Sequence, residues 1–326
     1  MQYRTLGEGD LIVPLVSFGA WAIGGWMWGG SDDNDAIRAI QAGIDAGVTC
    51  IDTAPAYGKG HSERIVGRAI AGRREEVIIA TKCGLRWDAG EGEKFFDSHD
   101  LNDEPFTIYR NLRPESIAYE CDQSLQRLDI DVIDLYQCHW PDKTTPIDDT
   151  MAALLKLQEA GKIREIGVSN FTPDMMRQSL KTVKLSSDQP KYNALEREAE
   201  EDVIPFCRQN NMGVLAYSAI AQGLLTGKVT LDREFPEDDV RHGQELFSRE
   251  NRKRVLDMLE KVRPIAEAHN ATFSQVFIAW TVAQPGITTA LVGARNVEQV
   301  QENARAGDLR LSDDEITQIR TLVEAL

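Results

Sequence analysis

Eight times along the chain a short β-branched run gives way to an amphipathic segment, and this rhythm limits the fold more than any other feature. After a small hairpin (YRTL, turn GEGD, LIVP), the run VSFGA leads to a predicted helix over Asn34–Ala46, with Asp32, Asp33 and Asp35 near its start where carboxylates favour a helix N-terminus. VTCID precedes a helix over Ser62–Ile70, and VIIATK precedes RPESIAYECDQSLQRL, whose Pro114 suits a first turn. DVIDLYQCH, IREIGVSN, SSDQPKYN, MGVLAYS and TTALVGA read as the remaining strands. Between and after them come PIDDTMAALLKLQEA, PDMMRQSL, EEDVIPFCRQ, helices within residues 250–283, NVEQVQENA and a last helix after Ser312. Eight strand–helix alternations are the arithmetic of a closed α/β barrel, the (β/α)8 TIM barrel, here with an N-terminal β-hairpin; an open doubly wound sheet usually has fewer. No Pro/Ser-rich linker, low-complexity tract or short-period repeat divides the chain, so residues 1–326 are expected to form one barrel domain.

Charge and cysteine usage exclude several classes of function. With 36 Lys+Arg against 52 Asp+Glu the formal charge is −16, which repels phosphate backbones and anionic lipid, so no nucleic-acid or membrane partner is expected. A small anionic cofactor can still bind through local cations and helix N-termini. Cys50, Cys83, Cys121, Cys138 and Cys207 are an odd number without a C-x-x-C pair, which reads as free thiols in the cytoplasm. Leu11–Ser31 carries no charge over a length near a membrane span, but Pro14 and five glycines interrupt it, so it reads as a strand opening into a loop. His61, His99, His139, His242 and His269 form no H-x-H or H-E-x-x-H pair, and no metal is expected.

A closed barrel of this kind carries its chemistry at the C-terminal ends of the strands and in the loops that follow. The polar residues there are Asp52, Lys82, His139, Ser169, Asn170, Gln189 and Tyr217. Period-two alternation puts Cys50 and Asp52 on one face, Ile78, Ala80 and Lys82 on one face, and Leu135, Gln137 and His139 on one face, which should be the barrel interior. The loop CIDTAPAYGKGHSE brings Tyr57 five positions after Asp52. These groups make chemical sense together. A free tyrosine, with a pKa near ~10, is a poor acid at neutral pH, and a lysine ammonium beside it is expected to lower that value. Asp52 would hold Lys82 charged, His139 would orient a substrate carbonyl, and Tyr57 would donate the proton. Gly58-Lys-Gly60-His-Ser-Glu63 lacks the third glycine of a Rossmann turn, and Gly223-Leu-Leu-Thr-Gly227-Lys228-Val falls a residue short of a Walker loop.

These motifs resemble, in order and along nearly the whole chain, those of the aldo-keto reductases. IDTAPAYGKGHSE is similar to that family's Asp–Tyr loop, VIIATK to its lysine strand, DLYQCHWPD to its histidine strand and GVSNF to its nicotinamide-amide segment. AYSAIAQGLLTGK resembles the stacking-tyrosine strand and clamp, and VGARNVEQVQEN the cofactor-phosphate end. AWAIGGWMWGG is similar to a bacterial branch that includes general-stress reductases and is related to potassium-channel β subunits. The resemblance implies an enzyme that reduces aldehydes or ketones with a nicotinamide cofactor, with Asp52, Tyr57, Lys82 and His139 as catalytic residues and Tyr57 the acid. It implies Ser169, Asn170 and Gln189 at the carboxamide and Tyr217 stacked on the ring. Ser218, Ile220, Gln222, Gly223, Leu224 and Lys228 would line the pyrophosphate clamp, and Gly293, Ala294, Arg295, Gln299 and Asn303 would meet the adenosine end. Many members carry arginine where this chain has Gln299; Arg295 is expected to supply the missing cation, which favours NADP(H) over NAD(H).

Two long loops, Arg86–Leu112 and Ala219–Ser248, lie at the expected active face and exceed ordinary connectors. Trp21, Trp28, Trp87 and Trp140 are the candidate wall of a pocket for a small carbonyl substrate. The second loop is expected to fold over the cofactor. Two other readings stay open on sequence alone: a cofactor-binding redox sensor or auxiliary subunit with little turnover, and a barrel lyase using Lys82 as a Schiff-base nucleophile.

Overall fold

The N-terminal hairpin pairs β1 (Tyr3–Thr5) with β2 (Ile12–Pro14) in a computed structural model that describes residues 1–326. Strands and helices then alternate through β3 (Val16–Gly19), α1 (Asp33–Asp45), β4 (Cys50–Asp52), α2 (His61–Ile70) and β5 (Ile78–Cys83). Three further strands follow, β6 (Leu85–Arg86), β7 (Glu93–His99) and β8 (Pro105–Arg110), before α3 (Pro114–Leu128) and β9 (Ile133–Cys138). Next come α4 (Ile147–Glu159), β10 (Ile163–Ser169), α5 (Pro173–Ser179), β11 (Ser187–Gln189), α6 (Val203–Gln209) and β12 (Gly213–Ala216). The chain ends with α7 (Arg249–Ala268), α8 (Phe273–Ala283), β13 (Thr289–Val292), α9 (Val297–Arg305) and α10 (Asp313–Glu324).

Strands β3, β4, β5, β9, β10, β11, β12 and β13 pair in parallel and close, β13 returning to β3 through Ala290↔Val16. The eight predicted strands are therefore the eight barrel strands. Local chemistry sets the helix starts: the Asp32 side chain accepts the Asp35 N–H before α1, and Thr272–Gln275 and Ser312–Glu315 form reciprocal capping boxes at α8 and α10. No helix is long and apolar enough to cross a membrane. All five cysteines are unpaired and buried.

The barrel interior is layered. Leu6, Leu11 and Val13 of the hairpin pack upward against Cys50, Ala80, Leu135, Leu215 and Leu291, which closes the bottom with apolar side chains. One step higher the same alternation presents Asp52, Lys82 and Gln137, with Lys82 in register with Gln137 and Asp52 in register with Ala80. Chemistry is thus confined to the upper mouth.

One expectation changes. The Arg86–Leu112 segment is no irregular loop, because β6, β8 and β7 form an antiparallel sheet over that mouth. A register shift between Lys94 and Phe96 breaks the period-two pattern by which a strand is read, and most of its residues are only half-buried or exposed. Aromatic packing holds the flap down: Trp26 lies against Phe96 and Phe106 and donates Nε1 to Ser98 Oγ at 3.0 Å. Lys59, two residues beyond Tyr57, pairs with Asp100 at 2.6 Å.

Candidate active site

Asp52, Lys82, Tyr57 and His139 converge at the upper mouth. Lys82 is fully buried, and its three ammonium hydrogens have three acceptors: Asp52 Oδ1 at 2.6 Å, the Thr53 carbonyl at 2.9 Å and Tyr57 Oη at 3.1 Å. An amine with every hydrogen donated, held beside a carboxylate, stays an ammonium. Burial alone would lower its pKa, but Asp52 and Tyr57 outweigh that and hold it above the ordinary lysine value. This disfavours the Schiff-base reading, which requires a free amine. Since Tyr57 Oη accepts from Lys82, its own hydrogen is left for a group in the cleft.

The direction of the Tyr57 pKa differs from the sequence expectation. Burial raises it, Lys82 pulls it down, Asp52 pushes it up, and the balance lies above 10.0. Desolvation disfavours the phenolate more than one already-paired ammonium supports it, so the ring holds its proton at neutral pH. The His139 ring meets the Tyr57 ring edge-on, with centroids 5.7 Å apart. Burial and then the Lys82 charge push its pKa well below 6.5, so it is a neutral imidazole with one N–H donor.

The loop between β4 and α2 is held by its glycines and by the Ser62–Glu63 pair. A Cβ on Gly58 would lie 2.3 Å from the Gly24 carbonyl, and one on Gly24 would lie 2.9 Å from the Tyr57 carbonyl oxygen, so only glycines let the two loops touch. Ser62 donates to the Ala20 carbonyl and bonds Thr53 Oγ1 at 2.8 Å. Buried Glu63 accepts from Thr81 Oγ1 at 2.7 Å and from Arg127 at 2.6 Å. Both are anchors rather than reacting groups.

The remaining sequence candidates distribute around this centre. Ser169, Asn170, Gln189 and Tyr217 form a chain: Ser169 Oγ donates to the Gln189 carbonyl at 2.8 Å, Asn170 Nδ2 to Ser169 Oγ at 3.0 Å, and Tyr217 Oη to Asn170 Oδ1 at 3.0 Å. Beyond Tyr217 the backbone enters the left-handed region at Ser218, Ala221, Gln222 and Gly223, and no atom lies within 4 Å of where a Cβ on Gly223 would sit. Gln222 Oε1 is sealed without a partner. Ile220 is half-buried and Leu224 buried beneath the turn. Lys228 differs from expectation: it is exposed and paired with Glu302 at 3.3 Å.

At the far end Gly293 and Ala294 lead into α9, whose cap Asn296 accepts the Gln299 N–H. Gln299 Oε1 accepts from the Arg295 backbone N–H at 2.8 Å, and Asn303 donates to the Gly293 carbonyl at 3.2 Å. The Arg295 guanidinium forms no salt bridge; burial and then neighbouring Arg241 lower its pKa, against Asp239, with Arg233 acting the same way as Arg241. A turn with left-handed backbone and an open glycine, a helix N-terminus and a cation crowded by other cations together fit a dinucleotide carrying phosphates.

Of the four tryptophans, Trp21 stacks on Tyr57 with centroids 6.1 Å apart, and Trp28 stands edge-on to Trp21. Trp28 also lies under the guanidinium groups of Arg241 and Arg295. Trp87 and Trp140 pack into the cluster of Trp26, Ala56, Leu85 and Ile108 beneath the flap. Sequence reasoning placed Gln137 on the inward face without a role and did not single out Gly24 or Arg241. For Gln137 a signal existed, since a polar side chain at an inward strand position is unusual.

A closed parallel barrel with an acid, an ammonium, a phenol and an imidazole at its mouth, beside a phosphate-fitting rim, defines a class of barrel oxidoreductases. The aldo/keto reductase family model matches residues 15–324, and the chain belongs to that family. It is 40% identical to an NADH-specific methylglyoxal reductase of Escherichia coli, covering 100% of this chain and 99% of that one. It is 37% identical to the aldo-keto reductase YhdN of Bacillus subtilis over 99% of this chain and 94% of that one. Among solved structures, a glycerol dehydrogenase of Gluconobacter oxydans superimposes with a TM-score of 0.88 at 39% identity, covering 99% of this chain and 95% of the other. The chain is an oxidoreductase of the family that uses nicotinamide cofactors.

Proposed function

We propose that this enzyme reduces small aldehydes or ketones to alcohols with NADP(H), Tyr57 giving the proton. The observation that carries the reading is the Lys82 ammonium, which donates to Tyr57 Oη at 3.1 Å while tied to Asp52 at 2.6 Å. When bound at this rim, a reduced nicotinamide would supply hydride for the carbonyl carbon. As negative charge grows on the carbonyl oxygen, Tyr57 passes it a proton, and Lys82 stabilises the phenolate left behind. Asp52 keeps Lys82 charged and fixed. His139, neutral, donates its N–H to the same oxygen and sets its angle. Ser169, Asn170 and Gln189 would hold the carboxamide, and Tyr217 would support the ring.

The unpaired Arg295 with Arg241 and Arg233 nearby supports a 2′-phosphate. A second reading, NAD(H), is favoured by Gln299, which stands where arginine is common and is spent on the Arg295 backbone. The Escherichia coli relative is named as NADH-specific, whereas a Schizosaccharomyces pombe relative, 34% identical, is named for NADP(+). Oxidation of NADPH and NADH over methylglyoxal, other aldehydes, ketones and sugars tests both. Turnover with NADPH, and an Arg295→Gln variant that loses NADPH affinity while keeping NADH affinity, is the expected outcome. No oxidation of either cofactor across the panel would favour the sensor reading instead.

A further inference from the structure

The layer just below Tyr57 holds a polar side chain that this reading leaves unused. Gln137, fully buried on β9, donates Nε2 to Asp52 Oδ2 at 3.2 Å. Gln189 Nε2 donates to the same oxygen at 2.8 Å and to Gln137 Oε1 at 3.2 Å. An ionised carboxylate only accepts hydrogen bonds, so both amides must turn nitrogen toward Asp52. Gln137 is then the acceptor that takes the second hydrogen of Gln189. With both hydrogens committed, Gln189 has only its carbonyl oxygen left, and that atom is neither bonded within the protein nor sealed from the cleft. The interior is tight on this side: a Cβ at position 167, the neighbouring position on β10, would lie 2.7 Å from Ser187 Oγ and 3.0 Å from Gln137 Cγ, and glycine leaves room for both.

We propose that Gln137 is a positioning residue that makes Gln189 an acceptor-only group, so that the cleft selects a nicotinamide ring substituent bearing an N–H donor. This rests on the reading above in one respect, that the carboxamide sits against Gln189. Without an acceptor at position 137, one Gln189 hydrogen is released, and the amide can tilt to offer either a donor or an acceptor. Selectivity for the substituent then falls although nothing that touches the cofactor has changed. Asp52 Oδ2 also keeps one donor instead of two.

The test compares the affinity of the dinucleotide with that of its 3-acetylpyridine analogue, whose substituent has no N–H, by quenching of tryptophan fluorescence in the full-length protein. The wild type should prefer the carboxamide by about tenfold, the size of one net hydrogen bond. Gln137→Met should reduce that preference to about twofold or less. Gln137→Glu, which still accepts from Gln189 in either protonation state, should retain it; a role in packing alone would not separate the two variants. A full preference in Gln137→Met, or its loss in Gln137→Glu, overturns the proposal. If Gln137→Met does not fold, glutamine-¹⁵N spectra of the unaltered protein decide: slow exchange of both Gln189 side-chain hydrogens supports it, and exchange at the solvent rate for either overturns it. Gln189→Ala separates the two levels of inference. If wild type and Gln189→Ala discriminate equally, the carboxamide is not at Gln189 and the underlying reading fails; if only Gln137→Met behaves as wild type, the failure belongs to Gln137.

Discussion

Replacing Tyr57 by phenylalanine removes one oxygen and leaves the ring in its place. The stack on Trp21, with centroids 6.1 Å apart and planes at 27°, and the backbone contact with Gly24 do not depend on the hydroxyl. Lys82 keeps Asp52 at 2.6 Å and the Thr53 carbonyl at 2.9 Å and loses only the 3.1 Å bond. One buried ammonium hydrogen without an acceptor costs about 1–3 kcal/mol of stability, a melting-point loss of several degrees in a chain this long. The catalytic loss is larger, because a positioned general acid contributes ~10²–10⁴-fold, equivalent to about 3–5 kcal/mol of barrier. Steady-state cofactor oxidation gives kcat and KM, and tryptophan quenching gives cofactor affinity. The expected result is a kcat lower by 10²–10⁴-fold with cofactor affinity unchanged and a modest fall in melting temperature. A variant that kept more than about a tenth of the activity would refute Tyr57 as the proton donor.

Three further outcomes are expected. Since His139 titrates well below 6.5 and Tyr57 above 10.0, the rate of carbonyl reduction should show no inflection near the ordinary histidine value and should fall only at pH high enough to ionise Tyr57; an acid limb near neutrality that His139→Asn abolishes contradicts this. Glu120, buried under the Gly84 N–H, is raised from 4.5 to about 8, so its stabilising contribution is complete below 4.5 and is lost as pH rises through about 8; Glu120→Gln should therefore gain melting temperature relative to wild type as pH goes up, and a constant difference between the two would sink the assignment. Gly24→Ala puts a methyl 2.9 Å from the Tyr57 carbonyl and should lower kcat by up to about 10²-fold by displacing the Tyr57 loop, with the fold intact by circular dichroism; unchanged kcat would show that the loop absorbs the methyl freely.

What the amino-acid sequence determined by itself was the part governed by local periodicity. Runs such as VIIATK and DLYQCH alternate with a period of two, and helices such as Pro114–Leu128 carry their own start signals, so all eight barrel strands and the strand-end residues Asp52, Lys82 and His139 were legible. Where local pattern is broken, legibility failed: the register shift at Lys94/Phe96 hid the β6–β8–β7 flap. Tertiary structure alone decided everything that depends on distance and desolvation. The three acceptors around Lys82 come from residues 52, 53 and 57, and only their closure at one mouth turns a surface-type side chain into a buried ammonium. Likewise Lys228 lies next to the clamp in sequence yet spends its charge on Glu302, and the Tyr57 pKa moves up rather than down. The physical reason is common to all three. Charge interactions fall off with distance and grow as water is excluded, and neither separation nor burial is encoded within a short window of the chain.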